Sequence, residues 1–266
     1  MRAKERIVIH NEAEFEGMRA AGRMAAELLD WITPFVKPGT HTEYLDRLCH
    51  EWIVERDAVP APLGYHGFPK SICTSINHVV CHGIPSKKDI LRDGDIINID
   101  VTPIVDGWYG DTSRMYYVGE VSEEARALVD TTYECMMAGI EVVRPGATTG
   151  DIGHAIQTIA EGRGYSVVTE FCGHGLGRTF HAAPQIEHYG RAGHGQVLAK
   201  GMFFTIEPMI NLGRHKTRVL ADNWTAITID GKLSAQFEHS IGVTDDGCEI
   251  FTLSPRGLHR PPYTLD

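Results

Sequence analysis

"VKPGTHTEYL" (residues 36–45) and "VRPGATTGDI" (residues 143–152) share Val, a basic residue, Pro-Gly, a Thr and an aliphatic position, at a constant offset of 107. Pro-Gly stops a preceding helix, and a Thr-rich stretch caps the next. Apolar spacing predicts that next helix in both copies: Leu45, Leu48, Cys49, Trp52 and Ile53 in one, Ile152, Ala155, Ile156, Ile159 and Ala160 in the other. Helical patterns also precede both Pro-Gly pairs, with Asn11 and Glu14 as the cap of one and Ser122 as the cap of the other. The offset returns in "LRDGDIINID", which ends at Asp100, and "LAKGMFFTIE", which ends at Glu207. Leu91 and Leu198, and Gly94 and Gly201, keep the same spacing. Two separated matches at one offset predict a duplicated α/β (α+β) chain. Each half reads helix, helix, strands, and the halves are related by an approximate two-fold. Asp100 and Glu207 then face each other across the axis. No linker divides the halves, so one shared core is expected. Only the tail, residues 254–266, reads as irregular.

The 266 residues suit one large domain, 1–266. A net charge of −10 argues against a chain built to grip nucleic acid or anionic lipid, so neither specific DNA nor membrane is expected as a partner. No apolar run approaches the ~18 residues of a membrane span, and the basic N-terminus lacks the apolar core of a secretory signal. The six cysteines are scattered without a CxxC. They read as reduced thiols of a cytoplasmic protein, not as a disulfide framework or a zinc knuckle.

Polar-face acids carry the chemistry. Asn98, Asp100 and Thr102 alternate with apolar residues, as do Thr205 with Glu207, and Gln236, Glu238 and Ser240. Asp111 adds a fourth acid. Between the halves lies "FCGHGLGRTFHAAP", with His174 and His181. Buried carboxylates are costly unless paired, hydrogen-bonded or bound to metal. An oxygen-rich set with one His suits Mn, Fe(II) or Co at least as well as zinc. Bridging carboxylates suit two ions about 3.5–4 Å apart.

With "GYHGFPKSICTSINHVVCHGIP", "DGDIINIDVTPIVDGWYGDTSRM", "CGHGLGRTFHAAPQI", "GMFFTIEPMI" and "LSAQFEHSIGVTD", the chain closely resembles the bacterial type I methionine aminopeptidases over residues 10–253. The resemblance implies the pita-bread fold, a duplicated unit around a two-metal centre. It implies that Asp100, Asp111, His174, Glu207 and Glu238 hold two divalent ions (Co, Mn, Fe(II), Zn or Mg), with Asp111 and Glu238 bridging. It implies that His82 and His181 contact substrate. A methionine pocket is implied at Tyr65, Phe68, Cys73, Phe180 and Trp224, where sulfur and aromatic rings suit a thioether. Main-chain oxygens of Asn77, Val79 and Ser234 match a site for Na or K. Pro62 departs from relatives that carry Cys at the pocket rim, and Phe68 replaces a Tyr. The implied reaction removes the N-terminal Met of a nascent protein whose second residue is small. Glu207 is the expected proton shuttle, and His181 the expected donor to the oxyanion. His82 is expected to steer the leaving-side nitrogen. The expected enzyme is a cytoplasmic monomer that docks near the ribosomal exit, for which "NLGRHKTR" offers Arg214, His215, Lys216 and Arg218.

Other readings stand beside these. His66, His188 and His239 read as structural. Gly173, Gly175 and Gly177 do not imply phosphate binding, because no P-loop Lys follows. A prolyl-specific peptidase of the same fold is the alternative enzyme. It is disfavoured because about ten residues precede the first helix, where such relatives carry a further domain. Only 25 residues separate His181 from Glu207, against the subdomain that type II relatives insert there. A non-catalytic binding module of the fold is disfavoured by the intact ligand set.

Overall fold

The computed structural model describes residues 6–264. Helix α1 spans Glu12–Ile32. It opens on a reciprocal cap: Asn11 Oδ1 accepts from Ala13 N at 3.0 Å, and Glu14 Oε2 accepts from Asn11 N at 2.9 Å. Helix α2 spans Thr42–Val54, α3 Glu123–Glu141 and α4 Thr149–Gly162. Ser122 caps α3 and Thr148 caps α4. The cap of α2 is not a Thr: His41 Nδ1 accepts from Tyr44 N at 3.0 Å. Its ring offers the same local acceptor as a hydroxyl. Before α2 and α4, Gly39 and Gly146 hold φ of 87° and 89°. The repeated Pro-Gly is thus the same left-handed turn made twice, where a Cβ would be strained.

The strands of the two halves correspond. In the first half, Ile96–Val101 lies between Cys73–Ile76 and Thr112–Tyr117, all antiparallel. In the second, Phe203–Ile206 lies between Gly173–Gly175 and His239–Val243, with Ala182–Ile186 and Cys248–Ile250 outside. Ile76 stands opposite Ile97, and Gly175 opposite Phe204. Ile97 and Phe204 are again 107 apart. The predicted duplication is borne out, and the fold is the mixed α/β pita-bread.

The apolar interior groups into several clusters. One apolar cluster packs α1 and α2 on the first-half strands, through Leu28, Leu29, Ile32, Leu45, Ile53, Ile97 and Ile99. Another packs α3 and α4 on the second-half strands, through Leu128, Val129, Ile152, Ile156, Phe204 and Ile241. A third, smaller cluster ties α1 to the second half through Phe15, Met18, Trp108 and Phe203. Each Leu or Ile so buried contributes about 1.5–3 kcal/mol. Where the central strands meet, the halves join by hydrogen bonds. Glu238 N donates to Ser113 O at 3.1 Å. Thr112 Oγ1 donates to Glu238 O, and Ser240 Oγ to Asp111 O, both at 2.6 Å. Asn98 Nδ2 donates to Gln236 O at 2.8 Å. Polar strand faces cannot share an apolar core, so they pair instead.

The tail is irregular yet anchored. Ser254 Oγ lies 2.9 Å from both oxygens of Asp30, which pairs with Arg114 in the interior. Tyr263 donates its hydroxyl to Met115 O at 2.8 Å. Among the described residues, no helix is long and apolar enough to cross a membrane.

Candidate metal centre

A cavity of about 470 Å³ opens where the halves meet. Asp100, Asp111, His174, Glu207 and Glu238 all line it, as do Tyr65, Phe68, Cys73, His82, Phe180, His181 and Trp224. The structure therefore brings the sequence-predicted ligands and pocket residues into one space. Pro62 is on the same wall.

The acids reach the cavity differently than simple alternation suggests. Asp100 lies within its strand, opposite Cys73 and Ser113. Asp111 and Glu238 each stand one residue before a strand, and Glu207 one residue after one. A strand end frees the side chain from the ladder while the ladder still fixes its backbone. His174 sits between two glycines for a steric reason. A Cβ on Gly173 would fall 2.4 Å from Thr205 O, and one on Gly175 would fall 2.1 Å from Ala183 O. The glycines let the His174 strand press against its neighbours.

Donor atoms of Asp111, His174 and Glu238 all lie within 4.8 Å of one another. His174 Nε2 is 3.4 Å from Asp111 Oδ2 and 3.6 Å from Glu207 Oε1. Hydroxyls orient the acids: Thr102 Oγ1 donates to Asp111 Oδ1 and Thr205 Oγ1 to Glu207 Oε1, both at 2.7 Å. Burial drives Asp100 well above the usual carboxylate range, and the charges of Asp111 and Glu207 add to it. Burial raises Glu238 likewise, with Asp111 next in weight. Glu207 is pushed up to about 7 by burial, although the His174 charge opposes. Burial works to lower His174, but the Asp111 hydrogen bond and the Glu207 charge outweigh it and raise the ring. Such a cluster lacks positive charge. Its donors, four carboxylates and one imidazole, fit hard or borderline divalent ions.

Three further imidazoles line the cavity. Burial, with help from the His174 charge, pulls His181 down to about 4. Its Nδ1 is 2.8 Å from the Tyr65 hydroxyl. Burial also lowers His82, whose ring meets Phe171 and Trp224 edge-on. His66, read as structural, instead lines the cavity beside Tyr65 at φ 45°. His239 fits its structural reading: it is buried, with Nδ1 2.8 Å from Thr252 Oγ1. His188, whose sequence context suggests a structural role, touches the site. Its Nε2 accepts from Glu207 N at 3.0 Å, and burial drives it down to about 3. Strand alternation could have flagged Thr102 and Thr205 as partners of the acids. Nothing in the spacing around His188 signals its contact.

Away from the cavity, Asn77 takes φ 53° and its carbonyl accepts from Ser234 N at 2.8 Å. The buried Ser234 Oγ has no hydrogen-bond partner, nor does Oδ1 of Asn211, opposite it in register. Arg214, His215, Lys216 and Arg218 are exposed. His215 Nδ1 is 3.3 Å from Thr169 Oγ1, and Thr217 N is 3.4 Å from Glu170 Oε1, so this segment borders the cavity rim.

The model of metallopeptidase family M24 matches residues 16–245. A methionine aminopeptidase from Rickettsia prowazekii is 62% identical over 258 residues, 97% of this chain and 99% of that one. The chain belongs to metallopeptidase family M24, among its methionine aminopeptidases. The crystal structure of the Rickettsia prowazekii methionine aminopeptidase superposes with a TM-score of 0.92, covering 93% of this chain and 100% of that one. The methionine aminopeptidase from Thermotoga maritima gives 0.91 at 39% identity, over 93% and 99% of the two chains. A prolidase from Pyrococcus furiosus shares the fold alone, at a TM-score of 0.73 and 22% identity over 92% of this chain and 65% of that one. The prolyl-specific alternative is accordingly not favoured. The M24 metallopeptidases use divalent metal, and the acid cluster is where this member's donors converge.

Proposed function

We propose that residues 1–266 form one catalytic domain, with the aminopeptidase fold over 10–253, that removes the N-terminal methionine from nascent proteins whose second residue is small. The observation that carries this reading is one cavity that joins an acid-and-imidazole cluster to an apolar wall of Tyr65, Phe68, Cys73, Phe180 and Trp224. Such a wall suits a thioether side chain. Asp100, Asp111, His174, Glu207 and Glu238 would hold two divalent ions. When bound, such ions acidify water toward neutral pH and polarise a carbonyl. Glu207 takes a proton and delivers it to the leaving amine. The Tyr65 hydroxyl lies 2.8 Å from His181 Nδ1; with that hydroxyl as donor, the single proton of the neutral ring sits on Nε2, a donor for the developing oxyanion. His82 stays neutral beside Trp224 and steers the leaving-side nitrogen.

Chelator-treated protein should lose release of Met from a Met-Ala-Ser peptide, and Mn(II), Co(II) or Fe(II) should restore it. Full turnover after verified metal removal would defeat the reading. Availability selects the ion in the cell among similar affinities. Met-Ala peptides should be cleaved far more efficiently than Met-Leu peptides; equal kcat/KM would refute the limit on the second residue.

An auxiliary Na or K site at the main-chain oxygens of Asn77, Val79 and Ser234 is supported by the unpartnered Ser234 Oγ nearby. The enzyme is proposed to act in the cytoplasm as a monomer near the ribosomal exit. The exposed Arg214, Lys216 and Arg218 beside the cavity rim support that docking, through salt-sensitive contact with RNA phosphates. Charge reversal of these three to Glu should weaken co-sedimentation with ribosomes and leave peptide turnover intact. Unchanged sedimentation across a salt series would remove this segment from the contact.

A further inference from the structure

Glu207 stands at a break in its strand. Phe203–Ile206 ends before it, and Met209–Asn211 after it belongs to a different sheet, with Val167 and Ala235 opposite Ile210. Ladder pairing with the His239–Val243 strand stops at Ile206, opposite His239. The next residue, Pro208, has no N–H to offer either sheet. The Glu207 N–H therefore falls between two ladders, and an interior amide left without an acceptor is destabilising.

His188 fills that gap. It lies fully buried, two residues past the Ala182–Ile186 strand. Its Nε2 accepts from Glu207 N at 3.0 Å. An accepting Nε2 carries no proton, so the proton sits on Nδ1, which has no partner. Three other contacts converge on the same residue. Gln236 Nε2 lies 3.3 Å from both Glu207 O and Glu207 Oε2, and Thr205 Oγ1 donates to Oε1. Thr205 and Gln236 hold the carboxylate and the following peptide. His188 holds the N–H end of the preceding one, past the last ladder pair of Ile206 with His239, and that plane sets where the Cα–Cβ bond points.

We propose that His188 is a positioning residue for Glu207: the lone pair on Nε2 fixes the peptide at the strand break, and thereby aims the Glu207 carboxylate at His174 and the metal-binding cluster. This rests on reading Glu207 as a metal ligand and proton carrier. A partner that orients a ligand in this way typically changes metal affinity or rate by roughly 10–100-fold. Gln in place of His188 retains an oxygen acceptor near the Nε2 position. Leu retains bulk without an acceptor.

The test uses the full chain, with Mn(II) binding read by calorimetry and turnover of a Met-Ala-Ser peptide read separately. His188→Leu should weaken Mn(II) binding and lower kcat by about 10-fold or more with KM little changed. His188→Gln should recover most of both. Equal losses in the two variants, or a loss confined to the thermal midpoint of ion-free protein, would overturn the proposal. A second measurement needs no variant. In the folded wild-type protein, the nitrogen spectrum of His188 at pH 7 should show a bare Nε2 and a protonated Nδ1; the reverse tautomer would overturn it. Wild-type protein that bound no Mn(II) would instead count against the metal reading itself, so the two failures are distinguishable.

Discussion

His181 and Asp111 share a cavity but should fail differently when removed. On the proposed reading, His181 presents Nε2 to substrate while its Nδ1 lies 2.8 Å from the Tyr65 hydroxyl. His181→Ala should keep its metal content and lose roughly 10²–10³ in kcat, the usual cost of one oxyanion donor. Asp111 lies within ligand distance of His174 and Glu238, so Asp111→Ala should lose bound metal itself. Elemental analysis of the purified variants decides between these fates, and the opposite pattern would dissolve the division between ligands and catalysts. At this scale the sequence carried most of the site. Acids on polar strand faces and a Gly-flanked His are unusual enough to stand out. What it hid was support: His188 contacts Glu207 through a backbone amide, and a contact between distant main-chain and side-chain atoms leaves no periodic trace.

The strand that bears His174 is three residues long and has glycine at both ends. Gly175→Ala would set a methyl 2.1 Å from Ala183 O, a backbone atom that cannot swing aside. The variant should lose about 1–3 kcal/mol of stability from overpacking. It should also bind metal more weakly, because the His174 strand must move. A denaturant midpoint and metal affinity equal to those of the parent would show that the strand has slack. The helices and both Pro-Gly turns were legible, since caps and apolar spacing are local signals. The His41 cap is not legible in the sequence, because an imidazole acceptor is rarer at that position than a hydroxyl. Nor is the position of the acids at strand ends, because where a ladder stops depends on the partner strand.

Across the whole molecule, the acid cluster couples stability to pH and to metal. Burial and mutual repulsion raise Asp100, Glu207 and Glu238. A carboxyl raised in the folded state binds its proton more tightly there than in the unfolded chain. The stability it contributes is full below its ordinary range and is lost as pH rises. For Glu207 that window runs from its ordinary 4.5 to about 7. Bound cations replace the missing protons and stabilise by mass action. Ion-free protein should therefore melt lower at pH 8 than at pH 5, and saturating Mn(II) should raise the midpoint more at pH 8. A metal-induced rise that is the same at both values would mean that the acids are not compressed. The duplication was visible in the sequence as one repeated offset. The hydrogen-bonded polar seam between the halves was not, because facing polar strands look the same in a sequence whether they meet each other or water.

The duplication also has an asymmetry with a thermodynamic reading. The pairings of Ile76 with Ile97 and of Gly175 with Phe204 set Ser75 in the first half at the place of His174 in the second. Ser75 Oγ is already within 3.4 Å of Gly83 N. His174 lines the cavity and Ser75 is not among its lining residues, so only one side of the axis brings a side chain from this position to it. On the proposed two-ion reading the two seats are unequal, and a calorimetric Mn(II) titration of the stripped protein should resolve two steps, the tighter one belonging to the half that carries His174.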